Sequence, residues 1–276
     1  MSHQATNPRG YETHTCKHGD ILEVEMFPHW SIKGRGKKRG QATKPSRLVQ
    51  KKLNYKNAKR HLERLLNLNF VKGRDIFLTL THTDENAPQT EKEAKKALEN
   101  YLRRLKHFIK RSGDLPPLKY IAVTEWKKSS TGYMKPHYHV ALNMTDRDVI
   151  ERLWGNGRTN ARILQADPDG GLQGMASYFI GADYEEKDQA RAKNQRRYQH
   201  SNNLTQPMIS VAQKKVSARK AADFARNEQI AVDFFERAHP EYTYIKMEKV
   251  FTDFVGGVYL YVRMRKKTDK RRKIHV

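Results

Sequence analysis

Two histidines separated by one residue, at the start of an apolar segment, constrain this chain more than any other feature. The segment runs Pro136-His137-Tyr138-His139-Val140-Ala141-Leu142 and has the composition of a β-strand. Successive strand side chains alternate between faces, so His137 and His139 point the same way, with Cα atoms about 6–7 Å apart. Two imidazoles on one rigid face can bind a metal ion if a third ligand converges from a neighbouring strand. The spacing is a weak motif by itself, and its meaning depends on what surrounds it.

A candidate third ligand precedes the histidines and ends a second apolar strand over residues 119–125. Residues 127–132 between the two strands form a short, turn-rich link, which favours a β-hairpin. An antiparallel hairpin brings Glu125 close to His137 and His139. Two neutral imidazoles and one carboxylate suit a divalent ion that keeps coordination positions open for water or a phosphate oxygen.

The charge of the chain indicates a polyanionic partner. Its 276 residues include 54 Lys and Arg against 30 Asp and Glu, which gives a net charge of +24. An excess of this size promotes association with nucleic acid. Nine basic residues and no acid lie within residues 31–52, and eight with one acid lie within residues 263–273. We expect both segments to contact phosphate groups; solvated tails or a nuclear-import signal are the alternative interpretations.

The composition also argues against several classes of protein. The longest apolar run, residues 258–262, is too short for a transmembrane helix or a signal peptide. A single cysteine, Cys16, excludes an internal disulfide framework and a zinc site with several cysteines. We therefore expect a protein of the reducing cytoplasm that does not enter a membrane.

The hydrophobic pattern predicts an α+β fold, with a central antiparallel β-sheet of about five strands flanked by α-helices. The predicted strands cover residues 20–27, 75–82, 119–125, 136–142, 159–164, 243–251 and 258–266, and the predicted helices cover residues 46–66, 90–109, 146–154 and 172–184. We expect three segments along the chain. They are a basic N-terminal extension over residues 1–45 that contains the first strand, one domain over residues 46–267, and a basic C-terminal tail over residues 268–276.

The helix expected over residues 172–184 carries two tyrosines, Tyr178 and Tyr184. A tyrosine on such a helix is usually a half-buried packing residue. At 100° per residue the two tyrosines lie about 120° apart around the helix axis, so they cannot both face one site. At most one of them can act as a nucleophile there.

The order of these features resembles the HUH endonuclease superfamily, in its branch of rolling-circle replication initiators from bacterial mobile elements. That order is an apolar strand with Thr79-Leu80-Thr81, a strand with a glutamate, the His-hydrophobic-His strand, and then a helix with a tyrosine. Three flanking phrases are also similar to initiators of phages, plasmids and integrative elements. They are Asn67-Leu68-Asn69-Phe70, Trp154-Gly155-Asn156-Gly157-Arg158 and Ser201-Asn202-Asn203-Leu204-Thr205-Gln206-Pro207. The resemblance covers roughly residues 19–267.

The resemblance implies a fold and a metal site. The family holds its metal ion on a five-stranded antiparallel sheet with flanking helices, so residues 46–267 are expected to form an HUH endonuclease domain. Glu125, His137 and His139 are then the ligands of a divalent ion, Mg²⁺ or Mn²⁺.

The resemblance also implies a nucleophile. Initiators place it after the histidine pair, as in this chain, whereas conjugative relaxases place it near the N-terminus. Tyr178 is the first choice and Tyr184 the second. Many initiators have a lysine three residues after the tyrosine; that position is Gly181 here, and Lys187 is the candidate replacement.

The function implied by the resemblance is initiation of rolling-circle replication. The enzyme would nick single-stranded origin DNA by metal-dependent transesterification, forming a 5′-phosphotyrosine adduct and a free 3′-OH primer. The implied partners are single-stranded DNA, origin duplex DNA and a host helicase in the bacterial cytoplasm, and Trp126 or Tyr133 could stack on unpaired bases. Two alternatives stay open: a non-cleaving origin or single-strand DNA-binding replication factor, and a related HUH transposase or relaxase.

Overall fold

The computed structural model describes residues 10–29, 48–128, 132, 134–181, 198–251 and 257–267. The strands in these ranges are β1 (Gly10–His18), β2 (Ile21–His29), β3 (Ile76–Thr81), β4 (Tyr120–Lys128), β5 (Met134–Leu142), β6 (Thr159–Ile163), β7 (Gln199–His200), β8 (Ile209–Val216), β9 (Tyr242–Phe251) and β10 (Val258–Lys266). The helices are α1 (Leu48–Asn69), α2 (Glu91–Ser112), α3 (Arg147–Trp154), α4 (Gln173–Ile180), α5 (Ala218–Arg226) and α6 (Glu228–Ala238). None of the helices in these ranges has both the length and the apolar composition that crossing a membrane requires.

The strands form two antiparallel sheets of five strands each, one in the order β8-β1-β2-β10-β9 and the other in the order β6-β3-β5-β4-β7. The α+β class and an antiparallel five-stranded sheet with helices were predicted from the sequence, and both are confirmed. The sheet with β3, β4 and β5 contains the predicted motif strands. The other sheet was not foreseen, because β1 and β8 carry few apolar residues and show no clear strand pattern.

Contacts divide the chain into two compact units. The first unit comprises residues 1–50, 168–171 and 207–276, and the second comprises residues 51–167 and 172–206. Residues 46–267, expected as one domain, therefore contribute to both units. The expected boundaries at residues 45 and 268, and most of both basic segments, lie outside the described residues.

The sheet of the second unit is covered by helices on both faces, and β5 shows how the sequence achieves this. Tyr138, Val140 and Leu142 are buried on one face, in a core with α2 and α3. Ala141 is buried on the opposite face, in a core with α1 and α4. Since strand side chains alternate, His137 and His139 lie on the same face as Ala141.

Helix α2 covers one of these faces and is defined by its sequence at both ends. Thr90 accepts a hydrogen bond from the Glu93 backbone, and the Glu93 side chain bonds back to the Thr90 backbone, which is the predicted capping box. Gly113 ends the helix with a positive φ of 74°. The apolar positions of this helix pack against the sheet, and they are Ala94, Leu98, Tyr101, Leu102, Leu105 and Ile109.

Asn69, at the end of α1, connects two of the phrases that resemble initiators. Its side-chain amide donates to the Leu65 and Thr205 carbonyls at 3.0 and 2.9 Å. Its side-chain oxygen accepts from the Thr205 backbone at 2.8 Å and from the Lys119 ammonium at 3.0 Å. The buried Asn69 therefore satisfies its polar atoms while holding residues 201–206 against α1.

A third phrase, after α3, lies directly on the backbone at the end of β3. The backbone of Thr81 donates to the Arg158 carbonyl at 2.9 Å, and that of Thr83 donates to the Asn156 carbonyl at 3.0 Å. Gly157 lies between these two bonds, where a Cβ atom would be 2.3 Å from the Thr81 carbonyl oxygen. The absence of a side chain at Gly157 is thus what allows the loop to approach so closely.

The first unit is built around the β1–β2 hairpin, with α5 and α6 packed on one face of its sheet. Its core contains Leu22, Val24 and Met26 from β2, with Phe224 from α5 and Phe235 from α6. The two helices begin at capping side chains, Ser217 and Asn227, which accept hydrogen bonds from the first turn of each helix. The predicted strand over residues 20–27 corresponds to β2, and the predicted C-terminal hairpin corresponds to β9 and β10.

The Gly157→Ala substitution should destabilise the second unit. Because the new methyl group meets backbone rather than a flexible side chain, the loop must move, and we expect a loss of about 1–3 kcal/mol in the free energy of unfolding. Gly155→Asn is the matched control: Gly155 has a φ of 65° and open space around its Cα, and Asn tolerates that conformation, so its cost should stay under about 1 kcal/mol. Urea unfolding of both variants measures the difference, and equal losses would contradict the close approach.

Candidate active site

Strand pairing brings the predicted glutamate and histidines to one face of the second sheet. In the β4–β5 hairpin, Glu125 lies directly opposite His137, and Val123 lies opposite His139. On the other side of β5, Thr79 lies opposite His139 in β3. Directly opposed residues share a face of the sheet. Glu125, His137 and His139 therefore occupy adjacent strands on the face that α1 and α4 cover.

His139 is the centre of this group and is only 3% exposed. Its Nδ1 atom lies 3.2 Å from the Thr79 hydroxyl, and its Nε2 atom lies 3.5 Å from a Glu125 carboxylate oxygen. The Phe77 ring stacks alongside the imidazole at 6.0 Å between centroids. Burial, reinforced by the nearby Lys127 charge, lowers the pKa of His139 to about 4, so its ring is neutral at pH 7.

His137 is less buried than His139 and lies in a related electrostatic environment. Burial lowers the pKa of His137, and the charges of Lys127 and Lys135 act in the same direction, while Glu125 opposes them. Both imidazoles therefore favour the neutral form, which is the form that binds metal ions.

Lys127 is a charged residue of this site that the sequence analysis missed. Its ammonium lies 3.0 Å from the Glu125 carboxylate, and its charge contributes to the lowered pKa of both histidines. The signal was present in the sequence, because Lys127 follows Glu125 by two residues on a strand and so shares its face.

The donor set fits a divalent ion in its chemistry, although it is not gathered in this arrangement. Two neutral imidazoles and a carboxylate are suitable ligands, but no group of three His, Cys, Asp or Glu within the described residues stands ready to hold a metal ion. The Glu125 carboxylate contacts both His139 and Lys127. Binding by all three donors therefore requires their side chains to rearrange.

Tyr178 lies on α4 with its hydroxyl directed at His139. The hydroxyl is 3.2 Å from Nε2 and 3.5 Å from Nδ1 of His139, and the two rings meet edge to face at 4.8 Å. The side chain is 50% exposed, while Phe179 and Ile180 are buried. The predicted tyrosine and histidine are therefore neighbours, and the hydroxyl is within reach of solvent or a ligand.

The helix that carries Tyr178 is shorter than the expected range of residues 172–184. It ends at Gly181, whose φ of 86° stops the helix and which stands where many initiators carry a lysine. Tyr184, the second candidate nucleophile, and Lys187, the candidate replacement for that lysine, lie outside the described residues. Among the lysines that the structure describes, Lys127 is the one whose charge lowers the pKa of both histidines.

Contacts at both ends hold α4 in position. At its start the Asp167 carboxylate accepts a hydrogen bond from the Gly174 backbone at 2.8 Å, since Leu172 offers no capping side chain. At its end the Tyr55 hydroxyl donates to the Gly181 carbonyl at 2.5 Å. These two bonds satisfy backbone groups that a short helix otherwise leaves unpaired, and so fix the place of Tyr178.

The two aromatic residues suggested for base stacking have different outcomes. Trp126 follows Glu125 on β4, so it lies on the opposite face of the sheet, where it packs against the core with α2. Its observed role is therefore packing, away from the histidines. Tyr133 lies outside the described residues.

Comparison with known families adds one finding. Residues 75–189 match a family model described as replication-associated protein ORF2. The match covers less than half of the chain, from just before β3 to beyond α4, and includes Glu125, His137, His139 and Tyr178. No curated protein and no solved structure was found to match the chain.

Replacing Asp167 by alanine should loosen α4. The first-turn backbone group of Gly174 loses its acceptor, which costs about 1 kcal/mol of local stability, so amides over residues 174–181 should exchange with deuterium several-fold faster. Asp169→Ala removes the same charge from the same loop and is the matched control. Hydrogen exchange followed by mass spectrometry measures both variants, and equal exchange in the two would mean that Asp167 does not anchor the helix.

Proposed function

We propose that this protein is a rolling-circle replication initiator, a nickase that cuts single-stranded origin DNA and can rejoin it. One observation carries the proposal: the Tyr178 hydroxyl lies 3.2 Å from His139, on the sheet face that His137 and Glu125 share. The match of residues 75–189 to a replication-associated family supports a role in replication. The resemblance in motif order to HUH endonucleases supports the choice of reaction.

The reaction is a transesterification. The Tyr178 hydroxyl oxygen attacks the phosphorus, a bond from tyrosine to the 5′-phosphate forms, and the bond from phosphorus to the 3′-oxygen breaks. The 3′-oxygen takes up a proton and becomes a free 3′-OH primer. Because the phosphotyrosine keeps the reactivity of a phosphodiester, the reverse reaction rejoins a strand. The exposed half of Tyr178 leaves room for a phosphate to approach.

Tyr178 needs assistance to lose its proton, since a phenol with a pKa near 10 is a poor nucleophile at pH 7. His139 is placed to orient the hydroxyl through their hydrogen bond, and Thr79 in turn bonds the other nitrogen of that imidazole. The Lys127 ammonium adds a positive charge on the same face and favours binding of a negatively charged phosphate.

Glu125, His137 and His139 are the proposed ligands of Mg²⁺ or Mn²⁺. When bound, a divalent ion supplies electrostatic stabilisation for the charge that develops on the phosphate oxygens. In the arrangement described above, the Glu125 carboxylate must exchange Lys127 for the ion.

The alternative is a replication factor that binds the origin or single-stranded DNA without cleaving it. The observation in its favour is the contact between Glu125 and Lys127, which engages the carboxylate in an ion pair. An HUH transposase or relaxase would use the same chemistry, but the replication-associated family match favours an initiator.

The proposed partners follow from the reaction. Single-stranded DNA is the substrate, origin duplex DNA is the target, and a host helicase supplies the unwinding that continued synthesis from the primer requires. The proposed setting is the cytoplasm of a bacterial cell that carries the plasmid, phage or integrative element, and the one cysteine, Cys16, is a buried thiol.

Tyr178→Phe should abolish the covalent protein–DNA adduct that wild type forms with single-stranded origin DNA and Mn²⁺. The change removes one oxygen and keeps the ring against Phe77 and His139, so the free energy of unfolding should fall by no more than about 1–2 kcal/mol. Tyr184→Phe is the control and should retain adduct formation. Denaturing gel electrophoresis of the labelled oligonucleotide separates the adduct from free DNA.

Two results would contradict this assignment of the nucleophile. An adduct formed by Tyr178→Phe and lost in Tyr184→Phe would move the nucleophile to Tyr184. Adducts in both variants would exclude a tyrosine mechanism on this helix. A wild-type protein that binds the DNA and forms no adduct with Mn²⁺ or Mg²⁺ would instead favour the non-cleaving alternative.

A metal titration should separate the roles of His137 and Lys127. His137→Ala removes a proposed ligand and should weaken Mn²⁺ binding at least about tenfold, with DNA affinity almost unchanged because phosphate contacts elsewhere dominate it. Lys127→Gln releases Glu125 from its ion pair and should strengthen Mn²⁺ binding about two- to fivefold, in keeping with the modest energy of an exposed ion pair.

Lys128→Gln is the matched control, because the adjacent Lys128 is exposed and lies on the other face of β4. Isothermal titration calorimetry measures the three variants without depending on nicking. Equal effects of Lys127→Gln and Lys128→Gln, or full Mn²⁺ affinity in His137→Ala, would contradict the proposed ligand set.

A further inference from the structure

The C-terminal half of α2 presents a concentrated group of basic side chains. Between Asn100 and Gly113 the helix has six basic residues and no acid, whereas its glutamates all lie earlier. The six are Arg103, Arg104, Lys106, His107, Lys110 and Arg111. All six are exposed. We call them the α2 basic surface.

Helical geometry places these six side chains side by side. At 100° per residue they fall around the axis in the order Lys106, Lys110, Arg103, His107, Arg111 and Arg104, over an arc of roughly 160°. The remaining arc holds the buried positions, Tyr101, Leu102, Leu105 and Ile109, which pack on the sheet. The exposed side of this half-helix is therefore continuously basic.

These charges are not neutralised by neighbouring acids. Within the described part of the chain, no carboxylate forms an ion pair with any residue of the α2 basic surface, whereas Lys95 earlier in the helix pairs with Glu99 at 3.8 Å. Arg104 is partly engaged, because it donates to the Leu153 and Trp154 carbonyls at the end of α3. Interaction with the helix dipole accounts only for Lys110 and Arg111 in the last turn.

Two grooves run along the flanks of the same half-helix. One, with a volume of about 540 Å³, is lined by Lys106 and Lys110 together with Tyr120 and Asn202. The other, of about 580 Å³, is lined by Arg103, His107 and Arg111 on the opposite flank. An exposed helix with cations on both flanks matches a double helix, whose major groove admits an α-helix and has a phosphate strand on each side.

We propose that the α2 basic surface binds duplex DNA through its phosphate backbone. A single strand would need unpaired rings for its bases to stack on, but Lys106 already covers the Tyr120 ring at 5.6 Å, and Phe108 packs partly into the core. The surface lies on the face of the second sheet opposite to His139 and Tyr178. It is therefore a second DNA site, which goes beyond the proposed nicking of a single strand and does not require it.

The test compares two triple variants of the full chain that remove equal charge from one helix. Arg103→Gln/Lys106→Gln/Lys110→Gln removes three cations of the surface, and Lys92→Gln/Lys95→Gln/Lys96→Gln removes three exposed lysines from the first half. Glutamine is a good helix former, so both should fold, as circular dichroism can verify. Fluorescence anisotropy with a labelled 20-base-pair duplex, and with a single strand of equal length, gives affinity against salt.

We expect the first triple variant to lose at least tenfold in duplex affinity at low salt, with a log–log salt slope smaller by up to about 2.7, which corresponds to three phosphate contacts. The second triple variant should change the duplex affinity less than threefold. The charge-preserving Arg103→Lys/Lys106→Arg/Lys110→Arg should bind duplex like wild type. Adduct formation on saturating single-stranded DNA should persist in all three, which separates this site from the nicking site.

Three outcomes would overturn the proposal. Equal losses in the two Gln triple variants would mean a general effect of net charge. An equal loss of single-strand and duplex affinity in the first would mean that the surface is not selective for duplex. Unchanged duplex affinity, with reduced binding of a poly-glutamate probe, would assign the surface to an acidic protein.

Discussion

The alternation of β5 between two buried faces is the constraint on which the second unit depends. Tyr138, Val140 and Leu142 commit one face of this central strand to the core under α2 and α3. A shift of one residue would exchange the faces and bury His137 in that core. Because the apolar residues fix the register, the histidines are held on the other face without contributing to the stability of the strand themselves.

The candidate site combines this rigid face with a short helix from elsewhere in the chain. His139 is supported from below by the sheet, through Thr79 and the Phe77 ring. Tyr178 is supported by α4, whose two ends are held by Asp167 and Tyr55. A tyrosine placed in this way can keep half of its surface exposed and still have one defined direction for its hydroxyl, which a loop residue would not have.

Much of this arrangement could be predicted from sequence, and the exceptions have physical reasons. The pairing of Glu125 with His137 followed from two apolar strands and a turn-rich link. The proximity of Tyr178 to His139 followed only from the resemblance, since helical periodicity cannot say which strand a helix crosses. The contacts of Asp167 and Tyr55 with α4 join distant segments and leave no local pattern. The first sheet was missed because β1 and β8 are edge and near-edge strands with few apolar residues.

The two faces of the second sheet differ in the kind of electrostatics they use. On one face, burial removes charge from the histidines, so that binding there depends on a few close and directional contacts. On the other, α2 carries solvated cations, whose attraction for phosphate is long-ranged, weak per contact and sensitive to salt. A directional site is suited to chemistry at one phosphate, and a dispersed one is suited to holding many. Since the same five strands separate the two, either can change its occupancy without displacing the other.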